Sequence, residues 1–216
     1  MKNTRLFPTP LLLAALLALP LQGCIEMAVV GAGAVVLSAS DRRTTGIQIE
    51  DERIELITMN RIAERFGDKV HINVTSYNRS VLITGEVPDE KIKAEIAKIP
   101  SSVPNTRGVN NELQIAGPTS YTARASDATI TGKVKARFLD SGKLNPIHVK
   151  VVTEASIVYL LGIVTEAEAA DAVEVARHTS GVRRVVKVFD YCKPTDPACA
   201  PRAQPKAEEP KKKSGS

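Results

Sequence analysis

Apolar positions along the chain follow two periods, helical and alternating, and the same succession of periods occurs twice. Ile54, Ile62 and Phe66 recur at helical spacing, with Leu56, Met59 and Ala63 nearby. Val70, Ile72 and Val74 alternate as a strand, SYNRS (76–80) supplies a turn, and Val81, Ile83 and Gly85 continue a second strand. Glu90 to Ile99 reads as a helix buried through Ile92, Ile96 and Ile99 and stopped by Pro100 and Pro104. Val109, Leu113 and Ile115 give a third strand, so the order is helix, strand, strand, helix, strand.

After the segment GPTSYTARAS the pattern returns in register. Ile130, Val134 and Phe138 match Ile54, Thr58 and Ile62. Ile147, Val149 and Val151 match Val70, Ile72 and Val74. Val158, Leu160, Gly162 and Val164 match Val81, Ile83, Gly85 and Val87. Ala169, Val173 and Ala176 match Ile92, Ile96 and Ile99, and Gly181-Val182 with Val186 and Val188 matches Gly108-Val109 with Leu113 and Ile115. The expected architecture is α+β, with two tandem modules at 51–117 and 125–191. Each is a small three-stranded mixed sheet packed against two helices.

The two ends belong to neither module. Lys2 and Arg5 precede an apolar run, LLLAALLALPLQG, that is short for a membrane-spanning helix, so residues 1–23 read as a signal peptide. The segment closes on Leu21-Gln22-Gly23-Cys24, which resembles a bacterial lipobox and makes Cys24 the expected lipidation site. Ile25 after the cysteine favours the outer membrane. Residues 24–50 then read as a lipidated cysteine with a small-residue segment, either a pliable tether or a stretch lying on the membrane surface. Beyond Lys193 the chain carries five prolines and ends EEPKKKSGS, so 192–216 is expected to be a disordered tail. Cys192 and Cys199 remain as a pair. In an oxidising periplasm a disulfide is expected; two free thiols are the alternative.

Composition narrows the function. Aromatic residues are 4% of the 216, with no Trp, so the cores are built from small aliphatic side chains. The formal charge of +5 falls to +3 once Lys2 and Arg5 are set aside, too little to indicate a nucleic-acid partner. No GxSxG, SxxK or HExxH motif occurs, and GAGAVV lacks the third glycine of a dinucleotide fingerprint, so neither an enzyme nor a cofactor is expected. His71 and His148 occupy equivalent strand positions pointing away from the core and are read as solvent-exposed, with no metal expected. The first helix of the second module, TITGKVKARFL, is the candidate binding surface. Lys133, Lys135 and Arg137 are three cations within five residues, and each contributes about 1 kcal/mol near an anionic membrane. A solvated basic face is the alternative. The corresponding helix of the first module mixes both signs of charge and fits a packing role.

The glycines that close each second strand, Gly85 and Gly162, and the Gly-Val pairs before each last strand make the modules resemble BON domains. Together LQGC, the small-residue spacer, DRRTTGIQ and the two modules are similar to the dual-BON outer-membrane lipoproteins of Gram-negative bacteria, the DolP (YraP) family. VTEASIVYLLGIVTEAEA and SGVRRVVKVF carry that likeness into the second module. The resemblance implies a lipid-anchored protein on the periplasmic face of the outer membrane. Its second BON domain would bind anionic phospholipid of the inner leaflet through Thr129, Lys133, Lys135 and Arg137 and support envelope integrity. Thr129 stands where the family has an aromatic residue. The alternative is an interaction scaffold for outer-membrane assembly, division or cell-wall remodelling proteins.

Overall fold

The computed structural model describes residues 41–199, so the leader, Cys24, the segment up to residue 40 and the tail from residue 200 lie outside the described residues. Two α-β-β-α-β modules follow one another. In the first, α1 (Thr45–Phe66) leads through a short 3₁₀ turn into β1 (His71–Tyr77) and β2 (Ser80–Val87), followed by α2 (Glu90–Ser101), β3 (Gly108–Asn111) and β4 (Gln114–Ile115). In the second, α3 (Tyr121–Ser141) precedes β5 (Val149–Glu154), β6 (Ile157–Val164), α4 (Glu166–Arg177) and β7 (Arg184–Tyr191).

Each sheet is mixed. β2 runs antiparallel to β1 and parallel to β3 and β4, while β6 runs antiparallel to β5 and parallel to β7. β3 and β4 continue one strand position, interrupted at Glu112 and Leu113, so both modules are three strands wide. The hydrophobic cores are equivalent. Ile54, Ile62, Ile72, Val81, Ile83 and Ile96 fill the first, and Ile130, Phe138, Val149, Val158, Leu160 and Ala172 the second.

Both leading helices start earlier than the apolar period suggests. Thr44 caps α1 by accepting from the Ile47 amide, and Ser120 caps α3 by accepting from the Ala123 amide, so the end of the 24–50 segment and the second half of GPTSYTARAS are helical. The last strand also departs from the expected match. Gly108 pairs with Ser80 and Arg184 with Ile157, so Gly181-Val182 lies ahead of β7, in the turn. Gly181 adopts φ +97° there. The true counterpart of Leu113 is Phe189, and Val186 and Val188 face the other side of the sheet, away from their module's core.

That other side is not solvent. The faces of the two sheets turned away from the helices meet, and Tyr77 and Leu82 of the first module pack with Ile157, Tyr159 and Leu161 of the second. Burial of these side chains, at roughly 1.5–3 kcal/mol each, holds the modules together. Burial pushes the Tyr77 and Tyr159 hydroxyls up to about 12. Polar contacts ring the apolar patch. Lys150 Nζ lies 3.1 Å from Glu55, and Asn78 donates to Asp190 at 2.8 Å. Arg42, just before α1, donates to the Ile163 carbonyl at 2.7 Å and makes two 2.8 Å bonds to Glu168.

Candidate functional site

The helix α3 buries Asp127, Ile130, Val134 and Phe138, which fixes where its other positions point. Successive residues turn by 100°, so Tyr121, Ala125, Ala128, Gly132, Ala136 and Leu139 fall on the side opposite the core. Tyr121 is 87% and Leu139 69% exposed, leaving an outward stripe of small and apolar residues with a large side chain at each end. Thr129 borders that stripe, and its hydroxyl donates to the Ala125 carbonyl at 2.9 Å, so its polar atom is spent within the helix.

The three cations do not form one patch. Lys133 and Arg137, one turn apart, share a flank, whereas Lys135 is 200° from Lys133 and lies on the opposite flank. Arg137 donates to the carbonyl of His178 at the end of α4, which ties it to the protein. Lys133 and Lys135 are exposed and make no ion pair among the described residues. The cations therefore flank the apolar stripe on both sides, the arrangement of a helix lying in a headgroup layer. The amides at the start of α3, where Ser120 accepts from Ala123, lie far from these lysines. Lys133 is twelve residues after Tyr121, about 18 Å along the axis, so a single phosphate cannot bridge the two.

The matching helix of the first module also exposes apolar side chains, Ile49 at 61%, Leu56 at 62% and Met59 at 38%. Charge separates the two. Over its length α3 carries Arg124, Lys133, Lys135 and Arg137 against Asp127 and Asp140, and Asp127 is buried. By contrast α1 carries Arg53, Arg61 and Arg65 against Glu50, Asp51, Glu52, Glu55 and Glu64. An anionic surface attracts the first and repels the second.

Elsewhere the structure joins Cys192 and Cys199 as a disulfide, with Cα atoms 6.2 Å apart, directly after β7. The histidines differ from their solvent-exposed reading. The His71 side chain is only 19% exposed because the face it points to is covered by the second module, and its Nδ1 lies 2.9 Å from Glu86. His148 falls in a 3₁₀ turn, Pro146–His148, 3.7 Å from Glu168, with its side chain 17% exposed. Beside His71, Asn73 donates at 2.7 Å to Glu154, which comes from the other module. Burial, with the charge of Glu86, holds the Glu154 carboxyl above the ordinary range against the opposing Asn73 bond. Tyr121, Leu139 and this interface cluster were missed in sequence. Leu139 was detectable as a leucine off the 130-134-138 row, while the cluster depends on how the modules dock.

Comparison with known proteins gives the lineage. A family model described as BON domain matches residues 50–117 and 126–193. The chain is 37% identical to outer membrane lipoprotein DolP of Haemophilus influenzae, over 79% of this chain and 90% of that one. It is 29% identical to a 21 kDa hemolysin of Actinobacillus pleuropneumoniae, over 70% of this chain and 79% of the relative. Among solved structures, the C-terminal domain of CdsD from Chlamydia trachomatis aligns over 68% of this chain and 98% of its own. Its 12% identity and TM-score of 0.28 carry no weight for function.

Proposed function

The chain belongs to the dual BON-domain DolP family of outer-membrane lipoproteins, and from that premise we propose that it binds anionic phospholipid through the outward face of α3. In this reading Cys24 carries the lipid anchor on the periplasmic face of the outer membrane, and the protein supports envelope integrity. No helix among the described residues is long and apolar enough to cross a membrane. The observation that carries the reading is the exposed Tyr121–Leu139 stripe flanked by the unpaired Lys133 and Lys135. Tyr121 takes the amphipathic place at the headgroup level that Thr129 cannot fill. Each cation near such a surface contributes about 1 kcal/mol, and the apolar stripe adds burial against the acyl boundary.

Flotation of residues 41–216 with anionic and zwitterionic liposomes tests this. Binding to the anionic vesicles alone is expected, and the joint replacement of Lys133, Lys135 and Arg137 by Glu abolishes it while the fold persists. Equal binding to both vesicles, or to neither, contradicts it.

One observation favours a second reading, an interaction scaffold for envelope assembly or division proteins. Ile49, Leu56 and Met59 on α1 form an exposed apolar face bordered by both signs of charge, Glu52 and an Arg53 already paired with Glu50, suited to a protein partner more than to anionic lipid. A partner crosslinked from envelopes that survives charge reversal on α3 and is lost on Leu56→Glu supports that role.

A further inference from the structure

At one end of the interface between the sheets, His71 and Glu86 face each other as a cross-strand pair on β1 and β2, and Glu154, the last residue of β5, reaches them from the second module. One ligand-capable atom from each of the three lies within 4.8 Å of the other two. Glu86 and Glu154 are each 4% exposed, while His71 keeps an opening to solvent at 19%.

The charges do not balance. The Glu86 carboxylate is held by the His71 ring and by the Thr119 amide and hydroxyl, which the chain between the modules folds over it. Among the described residues no Lys or Arg pairs with Glu154. Both of its hydrogen bonds, from Asn73 and Thr84, go to one oxygen, Oε2, and its Oε1 has no hydrogen-bond partner among the described residues. A carboxylate so deeply buried is costly to leave unpaired, because desolvation is not offset by an opposite charge. Asn73 and Thr119 act as orienting groups of the kind that fix metal ligands from behind.

We propose that His71, Glu86 and Glu154 bind a divalent transition-metal ion of the Zn²⁺ type, bridging the two modules. One imidazole and two carboxylates are a suitable donor set for such an ion, which takes ligands at about 2.0–2.2 Å and completes its shell with water. The three donor atoms already lie within 4.8 Å of one another, close enough for one ion to draw them into a single shell. Mg²⁺ is a poorer fit, since it favours an octahedral shell of oxygens and gives up water reluctantly. Two ligands come from the first module and one from the second, so binding adds to docking of the modules and to folded-state stability.

The test uses the full-length protein in nonionic detergent, without a metal-binding tag, dialysed to equilibrium against about 10 μM free Zn²⁺. About one Zn²⁺ per chain is expected, with a rise in Tm of about 5 °C and no displacement by excess Mg²⁺. Glu154→Gln keeps the shape and one oxygen but removes the charge, and His71→Gln removes the imidazole. Both lose the bound ion and the Zn²⁺-dependent rise in Tm. Metal-free Glu154→Gln melts at or above the metal-free parent, because an unpaired buried charge is gone, which separates ligand loss from unfolding. Absence of bound Zn²⁺ in the parent, retention in both variants, or displacement by Mg²⁺ overturns the proposal.

Discussion

Asp51 and Asp127 hold the same place in the two modules: each is buried in the leading helix and accepts from both central amides of its own module's hairpin. Asp51 takes the Asn78 and Arg79 amides at 2.8 and 2.6 Å, and Asp127 the Ala155 and Ser156 amides at 2.9 and 2.8 Å. All four of those turn residues have positive φ although none is glycine. The hairpins are tight turns of the left-handed type, and the carboxylate offsets the backbone cost by holding the two amides.

Asp127→Ala is therefore expected to destabilise the protein by about 2–3 kcal/mol, the cost of stranding two donors in a strained turn. Asp51→Ala costs more, because Asp51 also accepts from Ser76 at 2.7 Å and pairs with Arg43 at 2.9 Å. Urea denaturation of the two variants ranks them, and the reverse order contradicts this account of the turns.

The glycines divide in sign. A Cβ on Gly85 meets the His71 carbonyl oxygen at 2.0 Å, at φ +119°, and one on Gly162 meets the His148 oxygen at 2.4 Å. Gly85→Ala and Gly162→Ala each push backbone against backbone across the first strand pair, with an expected loss of about 3 kcal/mol or more. Gly132, by contrast, has open space around it inside α3, so Gly132→Ala is expected to stabilise by about 0.5–1 kcal/mol. Thermal unfolding of the three variants checks both directions.

The Arg42–Glu168 pair links the start of the first module to the capping box of α4, where Glu168 also accepts from the Thr165 amide. These bonds outweigh desolvation and lower the Glu168 carboxyl to about 2 from 4.5. A depressed carboxyl stabilises the fold above its unfolded value and loses that contribution as pH falls through the folded one. The contribution, on the order of 2 kcal/mol after solvent screening, is thus full above pH 4.5 and fades toward pH 2. Glu168→Gln is expected to lower stability at neutral pH and flatten its fall between those limits, measured by urea titration at each pH.

The repeat and its cores were legible because helical and alternating periods mark the inward positions directly: Ile54 with Ile130, Ile83 with Leu160. The docking face was legible on one side only. β6 reads IVYLLGIV, apolar on both faces, as a strand covered on both sides must be, whereas β2 mixes Leu82 with Thr84 and Glu86 and looks half-wet. Hence His71 reads as exposed until the second sheet is laid over it. The basic stretch of α3 was legible as composition, but adjacency in sequence placed Lys133 and Lys135 together, while helical rotation sets them on opposite flanks.

In the proposed function α3, and not its sibling α1, enters the lipid surface. Nitroxide labels at introduced cysteines replacing Leu139 and Leu56, both on exposed helix faces, compare the two directly in residues 41–216. With anionic vesicles, the label at 139 is expected to become accessible to oxygen and shielded from a water-soluble nickel chelate, while the label at 56 stays in water. Immersion of both labels, of 56 alone, or of neither contradicts the claim.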